Sequence, residues 1–207
     1  MIKALLLIFE PVATWGGISR ARRSVPFILV AFLLPLLLLA SAGEGYGWVH
    51  WGKWQELGRV RKFSAGEAVV VQAAQLLLSL IVVFAGASLL KSVGETFHGR
   101  HTYAQAFTAV AYGLSPLFLL RLLDAFRGIS PWVSWAIGIV LSIAVLYHGV
   151  PRMMEPDPSH AFGLFFMSAL LLVLVTGLVR FLTASYVQGK FTKLQVMVSD
   201  AAARLPF

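Results

Sequence analysis

Residues 161–184 read AFGLFFMSALLLVLVTGLVRFLTA, an apolar run interrupted by one charge, Arg180. At 1.5 Å rise per residue, a helix of that length crosses the roughly 30 Å hydrocarbon core of a bilayer. Apolar residues surround the whole helical wheel instead of forming one stripe, the pattern of a helix whose solvent is lipid or protein on every side. Four further runs of the same make lie upstream, at 25–41, 68–90, 103–123 and 132–149, the last being the shortest. The spacing predicts an all-α polytopic membrane protein, a five-transmembrane-helix bundle over 25–184. An interfacial segment (1–24) precedes it, and an amphipathic C-terminal helix (185–207) follows.

Composition agrees. Of 207 residues, 58% are hydrophobic and 13% charged, against roughly one-quarter charged in a soluble domain. The chain has no cysteine, which removes disulfides, thiolate nucleophiles and thiolate metal sites together. Its net charge of +8 sits beside apolar runs, where it meets anionic headgroups, so nucleic acid is not expected as a partner.

Proline and glycine mark the boundaries. The first run follows Arg20, Arg22 and Arg23, carries Pro26 and Pro35, and is expected to end at the turn-rich Gly43–Gly47. Ala40-Ser41-Ala42 resembles a signal-peptidase site, but the basic group stands roughly twenty residues from Met1, which favours a retained span. Between the fourth and fifth spans, Pro151, Pro156 and Pro158 are expected to exclude regular helix from 150–160. The short apolar lead-in 1–9 reads as an interfacial or re-entrant helix. Trp48, Trp51 and Trp54 read as a loop lying at headgroup depth.

Polar residues within the runs are expected to face other helices, because their donors need partners in lipid. Gln72, Gln75 and Ser79 share one face of the second span, and Gln105, Thr108, Tyr112 and Ser115 share one of the third; the two stripes are expected to face each other as bundle interior or path. Pro116 crowds the carbonyl of Tyr112 and predicts a bend at mid-membrane. Ser134, Gly138 and Ser142 form a small-residue ridge on the fourth span. Arg121 and Asp124, three apart, are expected to pair on one helix face, and Arg180 to snorkel to the interface.

His98 and His101 are spaced as two metal ligands could be, yet no third ligand stands near them, so no metal or other cofactor is expected. No G-x-S-x-G, H-E-x-x-H or P-loop is present, which argues against an enzyme. Beyond the fifth span, Phe191, Leu194, Val198, Ala202 and Leu205 recur at steps of three and four, a face suited to the membrane surface or a partner.

Residues 94–107, GETFHGRHTYAQAF, followed by Val110-Ala111-Tyr112-Gly113-Leu114-Ser115-Pro116, resemble bacterial members of the Yip1 family. The resemblance centres on 68–184 and implies a five-helix bundle with termini on opposite sides, the N-terminus cytoplasmic. Eukaryotic relatives carry Asp-Leu-Tyr-Gly-Pro before the first helix and are associated with Rab GTPases. Phe9-Glu10-Pro11 stands there in this chain, so that role is not implied. For the bacterial branch the resemblance implies an accessory role beside another membrane protein, with an ABC transporter among the ideas. The sequence therefore points to a non-enzymatic scaffold or accessory subunit of the bacterial inner membrane, partnered by lipid and by a second membrane protein or another copy of itself. The alternative is a small transporter or channel lined by the polar stripes.

Overall fold

The computed structural model describes residues 2–54, 60–97 and 101–204. Five helices are long and apolar enough to cross a membrane: α3 (Val25–His50), α4 (Ala65–Thr96), α5 (Tyr103–Ala125), α6 (Pro131–Met154) and α7 (Ala161–Val187). Two short helices, α1 (Ile2–Phe9) and α2 (Pro11–Ala21), precede them, and α8 (Thr192–Ala203) follows. Between α3 and α4 a small antiparallel ribbon pairs β1 (Lys53–Trp54) with β2 (Val60–Arg61).

Helix starts are written locally. Ser64 accepts from the backbone of Glu67 while the Glu67 carboxylate accepts from the backbone of Ser64, and Thr102 and Gln105 do the same for α5. These capping boxes satisfy amide donors that the first turn leaves free. The two proline-bearing spans adjust differently. Pro35 has no amide for the carbonyl one turn back, and α3 widens to a π-helical turn at Leu29–Leu33 just before it. Pro116 breaks α5 at Leu114, and the Ser115 hydroxyl donates to the Tyr112 carbonyl at 2.6 Å, supplying a bond to the acceptor that proline leaves without its amide.

Two expected boundaries move. Gly43–Gly47 does not end the first span, since α3 continues to His50. A mid-helix glycine costs about 1 kcal/mol relative to alanine, whereas an unpaired carbonyl in hydrocarbon costs several, so the helix persists. Pro151 likewise lies inside α6, which ends only at Glu155, in left-handed conformation at φ 45°. Trp48 belongs to α3 and is buried against Phe63, with ring centroids 4.9 Å apart; it is not a surface-loop residue. Trp51 and Trp54 do remain exposed.

Leu33, Val83, Phe107, Val110, Leu114 and Leu146 are buried at the bundle centre. Ala4, Leu7, Trp15 and Ile18 of the α1–α2 pair join this core, and the Trp15 indole donates to the Val145 carbonyl at 2.9 Å. The opposite faces of the spans stay apolar and exposed, as Leu77, Ile81, Val140, Leu174 and Leu178 show. Such a belt is stable against acyl chains and not against water.

Candidate functional site

The buried charged side chains, Glu44, Lys53, Arg121, Asp124 and Arg180, lie in the half of the bundle away from the N-terminus. The decisive contact comes from a residue that reads as loop in the sequence, Glu44. Gly43 and Gly47 lie one turn apart on α3; a side chain at Gly47 would overlap the backbone of Ala125, and one at Gly43 would meet Leu122. Small residues one turn apart let two helix backbones approach closely. That approach sets Glu44, 1% exposed, against Arg121 near the end of α5.

Arg121 Nη2 lies 2.8 Å from Glu44 Oε2 and also donates to Gln75 Oε1 at 2.6 Å and Gln72 Oε1 at 3.2 Å. Its Nη1 reaches Ser79 Oγ at 3.3 Å, and Ser79 donates onward to the Gln75 carbonyl at 2.8 Å. The stripe on α4 is therefore the neutral part of an arginine cage. Such a cage is what an ion needs to leave water, since its charge is desolvated and every donor must find an acceptor.

Asp124 does not pair with Arg121. It meets Arg180 of α7, whose Nη2 lies 2.6 Å from Asp124 Oδ2, while Ser134 Oγ donates to Asp124 Oδ1. Arg180 also donates through Nε to the Pro131 carbonyl at 2.7 Å. It is 7% exposed, so it does not snorkel; a buried carboxylate within reach holds it better than the interface would. Each arginine thus finds a carboxylate on another span, and the two pairs tie α3, α5 and α7 together, with Gln72, Gln75 and Ser79 of α4 and Ser134 of α6 alongside.

Lys53 closes the cluster from the ribbon. Its Nζ donates to the Phe126 carbonyl at 3.0 Å and the Ile129 carbonyl at 3.5 Å. Burial holds its ammonium below the usual lysine range, against an opposing pull from Asp124 and Glu44. A narrow cavity of about 50 Å³ runs beside Gln75, Ser79, Arg121, Thr176, Arg180 and Thr183. Gln72 Nε2 and Gln75 Nε2 have no partner among the described residues, and Gln75 lines this cavity, whose size admits water.

The second expected stripe does not face this cluster. Gln105 closes the cap of Thr102, its Oε1 accepting at 2.8 Å; Thr108 donates to the Ala104 carbonyl at 2.6 Å. With Tyr112 these residues line a separate cavity of about 480 Å³ on the N-terminal side. Between the two polar regions lies the apolar core, including Leu114, with Ser115 and Pro116 buried beside it. The reason is local: the T-x-x-Q pattern captures Gln105 for a cap, and hydroxyls satisfied by their own helix need no partner across the bundle.

On α8, Val198 packs against the cluster of Trp48, Phe63, Val71, Tyr186 and Val187, and Ala202 sits over Gly66 of α4. Gln195 Nε2 fastens the helix to the Tyr186 carbonyl at 2.9 Å. Part of the amphipathic face thus covers the chain's own bundle, whereas Phe191 and Leu194 stay exposed together with Val196 and Met197. Leu205 and His98 lie outside the described residues. His101 Nε2 lies 3.1 Å from the Lys91 carbonyl, and no group of three or more potential metal ligands occurs among the described residues.

Five apolar spans with charges paired inside the bundle define a polytopic α-helical membrane protein. The Yip1 domain family model matches residues 5–182, and the chain belongs to the Yip1 family, which is not known for enzymatic activity. No curated protein and no solved structure matches it.

Proposed function

We propose that this Yip1-family protein is a non-enzymatic scaffold or accessory subunit of a larger membrane complex. The observation that carries the reading is the set of apolar side chains that α8 leaves exposed, Leu194, Val196 and Met197, at 45%, 59% and 67%. Gln195 and Val198 fasten the helix to the bundle, so these side chains are presented in a fixed orientation and little ordering entropy opposes binding. The occupant is another membrane protein, an ABC transporter being one candidate, or a second copy of the chain. A path through both polar stripes is supported less well, because they line different cavities.

The proposed setting is the bacterial cytoplasmic membrane with the N-terminus in the cytoplasm. Arg20, Arg22 and Arg23 precede the first span, while on the opposite side Arg121, Arg180 and Lys53 are buried and Arg61 pairs with Glu67 at 2.9 Å. The first span usually dominates orientation, so its cluster outweighs Lys62, Arg127, Lys193 and Arg204, which are exposed on the opposite side.

Chemical crosslinking in native membranes, followed by purification, tests the scaffold reading. Leu194→Glu with Met197→Glu should abolish the crosslinked complex while leaving the unfolding midpoint unchanged. An undiminished complex would refute the role assigned to α8.

A further inference from the structure

The larger cavity lies at the N-terminal side of the bundle, among α1, α2 and the adjoining ends of α3, α5 and α6. Its volume of about 480 Å³ falls in the range of ligand pockets. Lys3, Arg22, Arg23 and Arg152 line it, with Glu155 as the only acidic residue of the lining among the described residues. Among the described residues none of these four cations has a carboxylate within ion-pair distance. Arg152 donates to the Val12 carbonyl at 2.5 Å, and Arg23 lies 4.7 Å from the Phe27 ring centroid, so both are positioned without being neutralised.

This contrasts with the opposite half of the bundle, where both buried arginines have carboxylate partners. Four cations converging on one concavity repel one another, and an anion placed among them relieves that repulsion while accepting charge-assisted hydrogen bonds. The inner wall adds neutral polar groups. Tyr112 is held there by stacking on Phe32, with ring centroids 4.1 Å apart.

Depth and surroundings indicate the source of the anion. Arg22 and Arg23 precede α3 and Arg152 lies in the last turn of α6, at the ends of spans where phospholipid phosphates reside, and Lys3 of α1 lines the same cavity. Ile2 and Leu5 of α1 and Phe27 and Val30 of α3 expose apolar side chains nearby in the chain, at 74%, 48%, 48% and 63%. A molecule with a phosphate in the cavity could lay its acyl chains along those faces. We propose that the cavity binds the phosphate of an anionic phospholipid headgroup through Lys3, Arg22, Arg23 and Arg152.

The full chain in mild detergent should retain phosphatidylglycerol, and not phosphatidylcholine, in native mass spectra. Arg22→Gln with Arg23→Gln should weaken that retention about tenfold or more, since each interfacial cation contributes near 1 kcal/mol. Lys62→Gln with Lys193→Gln, outside the cavity, should leave retention unchanged. Inorganic phosphate, titrated by calorimetry, forms the second arm. Saturable phosphate binding lost in the Arg22/Arg23 variant, without lipid discrimination, would uphold an anion site but overturn its assignment to lipid. Retention of phosphatidylglycerol unaffected by the Arg22/Arg23 change would overturn the proposal outright, provided unfolding midpoints show both variants folded.

Discussion

Removing Arg121 should damage the bundle more than removing Glu44, although the two form one ion pair. Arg121→Met strips Glu44 of both hydrogen bonds it accepts, from Arg121 Nε at 3.3 Å and Nη2 at 2.8 Å, and leaves a carboxylate that is 1% exposed. Glu44→Gln leaves the arginine with Gln72, Gln75 and Ser79 as acceptors, and the new amide carbonyl can replace the lost oxygen. Breaking a buried pair costs about 3–5 kcal/mol, so Arg121→Met should fall near the upper end and Glu44→Gln near or below the lower. The double variant carries no stranded ion. It should therefore be more stable than Arg121→Met alone, giving a coupling of about 2 kcal/mol or more. Reversible unfolding in mixed micelles, read by tryptophan fluorescence and circular dichroism, supplies the cycle. Additive effects, each below about 1 kcal/mol, would refute the caged-arginine account.

Gly47→Ala should destabilise by about 1–3 kcal/mol in the same assay, because the methyl would meet the Ala125 backbone, which has no rotamer with which to yield. Lys53 has a lowered pKa in the fold, so the unfolded chain binds more protons between that value and the ordinary 10.5. Stability should then rise with pH across that interval and be lowest below it, and the rise should be smaller in Lys53→Met when the two unfolding curves are compared. Cysteine replacements can be read without background in a chain lacking cysteine. Thr108→Cys, on the larger cavity, should react with a small soluble thiol reagent, whereas Gln75→Cys, beside about 50 Å³ of space, should resist; equal labelling would restore a continuous path.

Lipid makes the spans legible. A crossing helix must be apolar along its whole length, and all five runs lie within helices of the bundle. Their ends are less legible, because glycine and proline signal turns in water but are retained within helices such as α3 and α6. Glu44 was hidden for that reason: among glycines it looks like loop. The Gly43-x-x-x-Gly47 spacing, read as continuation of the apolar run, carries the signal for a close contact. Arg121 and Asp124 show the other limit. Spacing of three names a local pair, but Glu44 and Arg180 come from distant segments and bind the two residues instead. Gln72, Gln75 and Ser79 were readable as a polar face, though nothing on α4 itself identifies the arginine they enclose.

Five crossings require the two ends of the described chain to lie on opposite sides of the membrane. Lys3→Cys and Lys193→Cys, introduced singly, can be treated with a membrane-impermeant maleimide in intact cells and in inverted vesicles. The account predicts that the Lys193 site labels in intact cells and the Lys3 site in inverted vesicles. Labelling of both sites from the same side would contradict a five-span bundle.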